Sequence, residues 1–105
     1  MKCAIVYSSK TGNTRELAEV LRSCIPQEDL LYFGKPDESA LRAERICAGF
    51  WTDKGSCDEE TAKFLEKIQN REVFLFGTAG FGGSDEYFDR ILVSVKEKLG
   101  SGCRV

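Results

Sequence analysis

Histidine is missing from all 105 residues, and with it go the commonest general base and the commonest metal ligand. The five cysteines, Cys3, Cys24, Cys47, Cys57 and Cys103, form no C-x-x-C pair and are odd in number. That pattern argues against a close-paired zinc site and for reduced thiols, several of them buried as small hydrophobes. No apolar run approaches the ~20 residues of a membrane helix, so no membrane partner is expected. The stretch Met1–Tyr7 is too short for a signal peptide and no small-residue cleavage site follows it, which predicts a cytoplasmic protein. An excess of positive charge is also missing. Lys and Arg total 15 against 17 Asp and Glu, a formal net charge of −2, and a nucleic-acid partner is excluded on that balance.

What is present suits one soluble domain over residues 1–105, with 42% hydrophobic and 30% charged residues. The hydrophobic period changes repeatedly. Cys3-Ala4-Ile5-Val6-Tyr7 reads as a buried strand. Leu17, Val20, Leu21, Cys24 and Ile25 then recur at helical spacing, with Asn13 and Glu16 as a cap pair and Pro26 as the stop. Leu30-Leu31-Tyr32-Phe33 reads as a second strand, residues 37–44 as a short helix, and Ile46-Cys47-Ala48-Gly49-Phe50 as a third strand. After a loop over 51–56, Ser56 and Glu59 suggest a capping box for a helix with Cys57, Thr61, Phe64, Leu65 and Ile68 on one face. Val73-Phe74-Leu75-Phe76 is the clearest buried strand. Ser84 can cap a last helix whose inner face is Phe88, Ile91, Leu92, Val95 and Leu99, with Gly100 as the stop. The order β-α-β-α-β-α-β-α predicts an α/β fold, a doubly wound parallel sheet with helices on both faces.

Ligands of such sheets bind beyond the carboxyl ends of the strands. Three loops leave those ends: 8–14, 51–56 and 77–84. The first, Ser9-Lys10-Thr11-Gly12-Asn13-Thr14, joins a strand to a helix start, where backbone N–H groups and hydroxyls converge and the helix dipole favours an anion. It is no Walker A loop. Ser9 and Arg15 have the spacing of a phosphatase loop, but a serine without a base is a poor nucleophile. Phosphate binding is thus favoured over phosphate chemistry; the plain alternative is an ordinary polar turn. The second loop carries Trp51, the single tryptophan, and the third carries Phe81 between glycines. Both are placed to stack on a flat ring or, alternatively, to fold back onto the protein.

These loops resemble those of the flavodoxins. Ser9-Lys10-Thr11-Gly12-Asn13-Thr14 looks like the T/S-x-T-G-x-T phosphate loop of that family. Gly49-Phe50-Trp51 and Phe76-Gly77-Thr78-Ala79-Gly80-Phe81-Gly82-Gly83 fall where it places its two flavin-flanking loops. The resemblance runs from residue 2 to about residue 99. It implies a strand order of 2-1-3-4, non-covalent FMN and one-electron transfer. Ser9, Lys10, Thr11, Gly12, Asn13 and Thr14 would hold the 5′-phosphate, Trp51 would cover one face of the ring, and Thr78, Gly80 and Phe81 would line the other side, with Tyr87 ranked below Phe81. No catalytic residue and no metal ligand are implied.

Two departures stand out. Only Cys103-Arg104-Val105 remain for the start of a fifth strand, so the carboxyl end is expected to be incomplete, and the strand 73–76 lies at an open edge that favours a homodimer. Many members also have Gly after the first stacking aromatic, where a peptide can flip toward flavin N5. Here Thr52 stands there, and its Cβ resists φ > 0.

The function implied is an electron carrier serving a partner reductase, rather than a stand-alone enzyme. Asp53, Asp58, Glu59, Glu60, Asp85 and Glu86 would form an acidic rim that steers basic partners. Some short flavodoxin-like proteins with similar loops serve a dedicated reductase, bilirubin reductases among them. The alternatives are a flavin-dependent reductase of small acceptors such as quinones, and a phosphate-binding module without flavin.

Overall fold

In the computed structural model, residues 2–9, 12–53, 56–78, 85–100 and 102–103 are described. For Thr52, Asp53, Ser56, Thr78 and residues 85–88 the description is of the backbone alone. The expected capping residue Ser84 lies outside the described residues, as does any statement on the side chain of Phe88.

The parallel sheet is built from β1 (Cys3–Tyr7), β2 (Leu30–Gly34), β3 (Arg45–Asp53) and β5 (Glu72–Thr78). β1 lies between β2 and β3, and β5 pairs with the other side of β3. This is the expected 2-1-3-4 order, with β5 as the fourth parallel strand. One element was not expected. β3 runs past Phe50 to Asp53, and Ser56–Cys57 (β4) folds back on it antiparallel, pairing Thr52 with Cys57 and Asp53 with Ser56. A loop expected from its polar composition is therefore a small hairpin. Ladder hydrogen bonds use the backbone, which side-chain polarity does not report.

The helices are α1 (Asn13–Cys24), α2 (Glu59–Lys67) and α3 (Asp85–Lys96), and the short helix expected over 37–44 is a 3-10 turn at Glu38–Arg42. The larger core cluster joins Ala4, Val6, Ile46, Ala48, Phe50 and Val73 of the sheet to Phe64, Leu65, Ile91 and Val95 of α2 and α3. The smaller one, around Ile5, Ala18, Cys47 and Phe76, joins the opposite face to α1.

One helix face differs from its sequence reading. Thr14 and Ala18 are the buried residues of α1, whereas Leu17 and Val20 are 41% and 61% exposed. Small side chains let this helix approach the sheet closely, so its widest apolar stripe becomes a flank. Phe74, itself 49% exposed, borders a trough whose apolar lining includes Cys3, Leu21, Cys24, Ile25 and Cys47 and which Arg45 and Glu72 also line. The trough sits toward the amino ends of the strands, away from the loops that carry the site. Cys3, Cys47 and Cys57 are buried, Cys103 is half-buried and Cys24 exposed; none of the five is in a disulfide. No helix among the described residues is long and apolar enough to cross a membrane.

Candidate functional site

The site is assembled at the carboxyl ends of β1, β3 and β5. Parallel pairing sets their registers, with Tyr7 opposite Gly49 and Trp51 opposite Thr78. Ser8 extends the ladder by donating its N–H to the Gly49 carbonyl at 3.0 Å. The chain then turns into α1 through Gly12, whose φ of 92° is a left-handed conformation that costs glycine little.

Gly12, rather than Asn13, is the residue that caps α1. Asn13 is already the first helical residue, and no side chain makes a cap hydrogen bond. The sequence pairing of Asn13 with Glu16 fails because the left-handed turn at Gly12 carries the chain straight into the helix, leaving Asn13 past the cap position. The Ser9 hydroxyl accepts the Gly12 N–H at 2.9 Å, which closes the loop on itself. A helix start without a side-chain cap, at the end of a central strand, has the electrostatics of an anion site.

Thr14 is the residue whose placement most changes its reading. It is buried (1% exposed), and its Oγ1 donates to the Phe50 carbonyl at 3.2 Å. This bond ties the first turn of α1 to the end of β3, one residue before Trp51. Trp51 itself is half-buried.

A second tie comes from α2. Its cap is Asp58, not Ser56: the Asp58 carboxylate accepts the Thr61 N–H at 3.1 Å and the Thr61 hydroxyl at 2.9 Å. The β3–β4 hairpin consumes Ser56 as strand and shifts the helix start by two residues. The same carboxylate accepts the Trp51 N–H at 3.3 Å, while the Asp58 N–H donates to the Trp51 carbonyl at 3.1 Å. Asp58 is 2% exposed and so does not belong to the expected acidic rim. Nothing in its residue type separated it from its neighbours Glu59 and Glu60, which are exposed. The one available signal was its spacing of three residues before Thr61, a D-x-x-T cap.

The structure thus brings Ser9, Gly12, Asn13, Thr14, Trp51 and the Thr78 backbone to one end of the sheet. Lys10, Thr11, Gly80 and Phe81 lie outside the described residues, and Tyr87 is described only as helical backbone. Thr52 is extended and paired with Cys57, and among the described residues Asn70 is the one non-glycine with positive φ, at 54°. Two glycines of the expected ring loops serve packing. A Cβ on Gly77 would lie 2.6 Å from the Phe50 ring, and one on Gly49 would collide with the Phe76 ring. No group of three or more acidic or cysteine side chains among the described residues is arranged to hold a metal.

Comparison with known proteins agrees with this geometry. A family model of the flavodoxin domain matches residues 4–105. The chain is 46% identical over 109 residues to a flavodoxin-like domain-containing protein, BilS, of Clostridium symbiosum, covering 88% of this chain and 57% of the relative. It is 32% identical over 103 residues to the BilS of Clostridioides difficile, covering 91% and 57%. The chain therefore spans little more than half the length of either relative. Among solved structures, Fusobacterium nucleatum flavodoxin bound to flavin mononucleotide superposes with a TM-score of 0.68 at 20% identity, covering 97% of this chain and 68% of that one. A flavoprotein in complex with FMN from Lactobacillus acidophilus gives 0.67 at 16%, covering 98% and 91%. With the strand order, the anion-ready start of α1 and the match over residues 4–105 agreeing, the chain belongs to the flavodoxin family.

Proposed function

We propose that this chain binds FMN and carries electrons to or from a partner reductase. The observation that carries the reading is the tie between the two ends of the site. The start of α1, suited to a phosphate, and Trp51, suited to a flat ring, meet through the Thr14 Oγ1–Phe50 carbonyl bond. A ligand with a phosphate at one end and an aromatic ring at the other fits that arrangement. The donor set also suits FMN, since the described loop offers N–H groups and hydroxyls, and the hollow it lines holds, among the described residues, Arg15 and Lys35 against the single carboxylate of Glu60.

FMN, when bound, supplies the one-electron chemistry. Ser9 and Gly12 shape the phosphate loop, the uncapped start of α1 faces the anion, and Trp51 supplies an aromatic surface from the end of β3. Lys10, Thr11, Gly80 and Phe81 complete the set on the strength of the sequence. Exposed Glu59 and Glu60 at the start of α2 present negative charge to a basic face of the partner, although Lys63 lies 3.3 Å from Glu59 and offsets part of it. We place the protein in the cytoplasm, where its five cysteines, none in a disulfide, remain reduced.

Titration with FMN tests the reading. A yellow complex is expected, with strong quenching of the Trp51 emission, which no other tryptophan overlays. Failure to bind FMN, or rapid NAD(P)H oxidation by the purified chain with no second protein, refutes the carrier function.

A further inference from the structure

The Phe50 carbonyl and the Trp51 N–H belong to one peptide group. Its oxygen accepts from Thr14 of α1, and its N–H donates to Asp58 at the cap of α2. The next carbonyl, of Trp51, accepts the Asp58 N–H. Trp51 is therefore held at both its N–H and its C=O by a single residue, and the peptide that precedes it is gripped from two helices. Geometry explains why the same residue does both. The β3–β4 register of Thr52 with Cys57 places Asp58 directly opposite Trp51, and the chain enters α2 at that point.

Capping α2 does not require an aspartate. Serine caps a helix about as well, through a shorter side chain. What aspartate adds is a second carboxylate oxygen and enough reach to take the Trp51 N–H as well as the Thr61 N–H. An ionised carboxylate has about four acceptor positions, and at 2% exposure few of them can be met by water. The buried charge is instead met by N–H and O–H donors from Trp51 and Thr61.

We propose that Asp58 is a positioning residue for the flavin ring, a buried carboxylate that fixes the Trp51 backbone and so presents its indole in one orientation. This rests on the reading of Trp51 as a ring-facing residue. Asp58 does not touch the ring. It acts through Trp51, and through the shared peptide it also couples Trp51 to the phosphate-loop helix.

The test compares Asp58→Ser with Asp58→Asn in the full chain. Serine keeps the α2 cap and loses the reach to Trp51, while asparagine keeps one amide oxygen as acceptor. Asp58→Ser is expected to weaken FMN and riboflavin by the same factor, about tenfold, since the hydrogen bond lost is to a charged group and acts at the ring end. The FMN-induced quenching of Trp51 should fall with it, measured at a temperature at which circular dichroism shows the flavin-free variant fully folded. Asp58→Asn, whose one amide oxygen can stay on the Trp51 N–H while the Thr61 N–H loses its acceptor, should bind both flavins within about threefold of wild type with a lowered thermal midpoint. Wild-type affinity and quenching in Asp58→Ser overturn the proposal. So does an equal fall in Asp58→Ser and Asp58→Asn that tracks lost stability. Hydrogen exchange in the wild-type flavin-free protein gives a reading that needs no variant. A protected Trp51 amide supports the clamp, and one exchanging as freely as an open strand end refutes it. If wild type binds no flavin, the proposed function fails, and the exchange result still decides whether Asp58 holds Trp51.

Discussion

Replacing Thr14 by valine separates two roles that the phosphate-loop resemblance merges. Valine has nearly the shape of threonine and lacks the hydroxyl. In the folded protein that hydroxyl is buried and donates to the Phe50 carbonyl at 3.2 Å. Losing one neutral hydrogen bond costs about 0.5–1.5 kcal/mol. The extra methyl recovers part of that, so a net loss of about 0.5–1 kcal/mol is expected in the absence of any flavin. For a domain of this size the loss lowers the melting midpoint by roughly 2–8 °C. Thermal denaturation of the flavin-free protein, followed by far-UV circular dichroism, reads it directly. Thr14→Ser, which keeps the hydroxyl, should recover most of the difference. A Thr14→Val protein with an unchanged midpoint and greatly weakened FMN binding would refute the tie and return Thr14 to a purely phosphate-binding role.

Gly77→Ala should cost about 1–3 kcal/mol by overpacking, because the new Cβ would lie 2.6 Å from the ring of fully buried Phe50; urea denaturation measures it, and an unchanged midpoint would show that the ring can move. Burial pushes the Cys47 thiol from 9.0 up to about 11, with Cys3 adding to the rise and Arg45 opposing it. The folded protein then holds this proton to higher pH than the unfolded chain, so its contribution is complete below pH 9 and is lost as pH rises toward 11. Wild type should lose about 2–3 kcal/mol more than Cys47→Ala across that interval, and parallel denaturation curves at pH 8 and pH 11 would contradict this. The outer edge of β5 and exposed Phe74, Leu17 and Val20 predict concentration-dependent self-association. Sedimentation velocity should detect it and find it reduced in Phe74→Lys; a strict monomer at high concentration would remove the edge as an interface.

The alternation of short apolar runs with 3.6-period segments was enough to determine the order of the main elements and the parallel sheet, since those periods report directly which side chains are buried. The turn from β1 into α1 was legible for a related reason. A glycine and several hydroxyls between a strand and a helix restrict the backbone locally, and the left-handed φ at Gly12 is a local event. Other features depended on contacts that no local pattern encodes. Leu17 and Val20 face solvent because Thr14 and Ala18, being smaller, let α1 lie closer to the sheet. Ser56 lost the cap of α2 to Asp58 because the β3–β4 hairpin claimed it. Asp58 reads in sequence as one of three successive surface acids, and only the hairpin register carries it beneath Trp51. The sequence by itself determined the order of the main elements and pointed to the start of α1 as a place suited to an anion. Tertiary structure decided which polar side chains are used internally, because a buried hydroxyl or carboxylate takes whatever partner the packing brings within hydrogen-bond distance, and that partner can be distant in the chain.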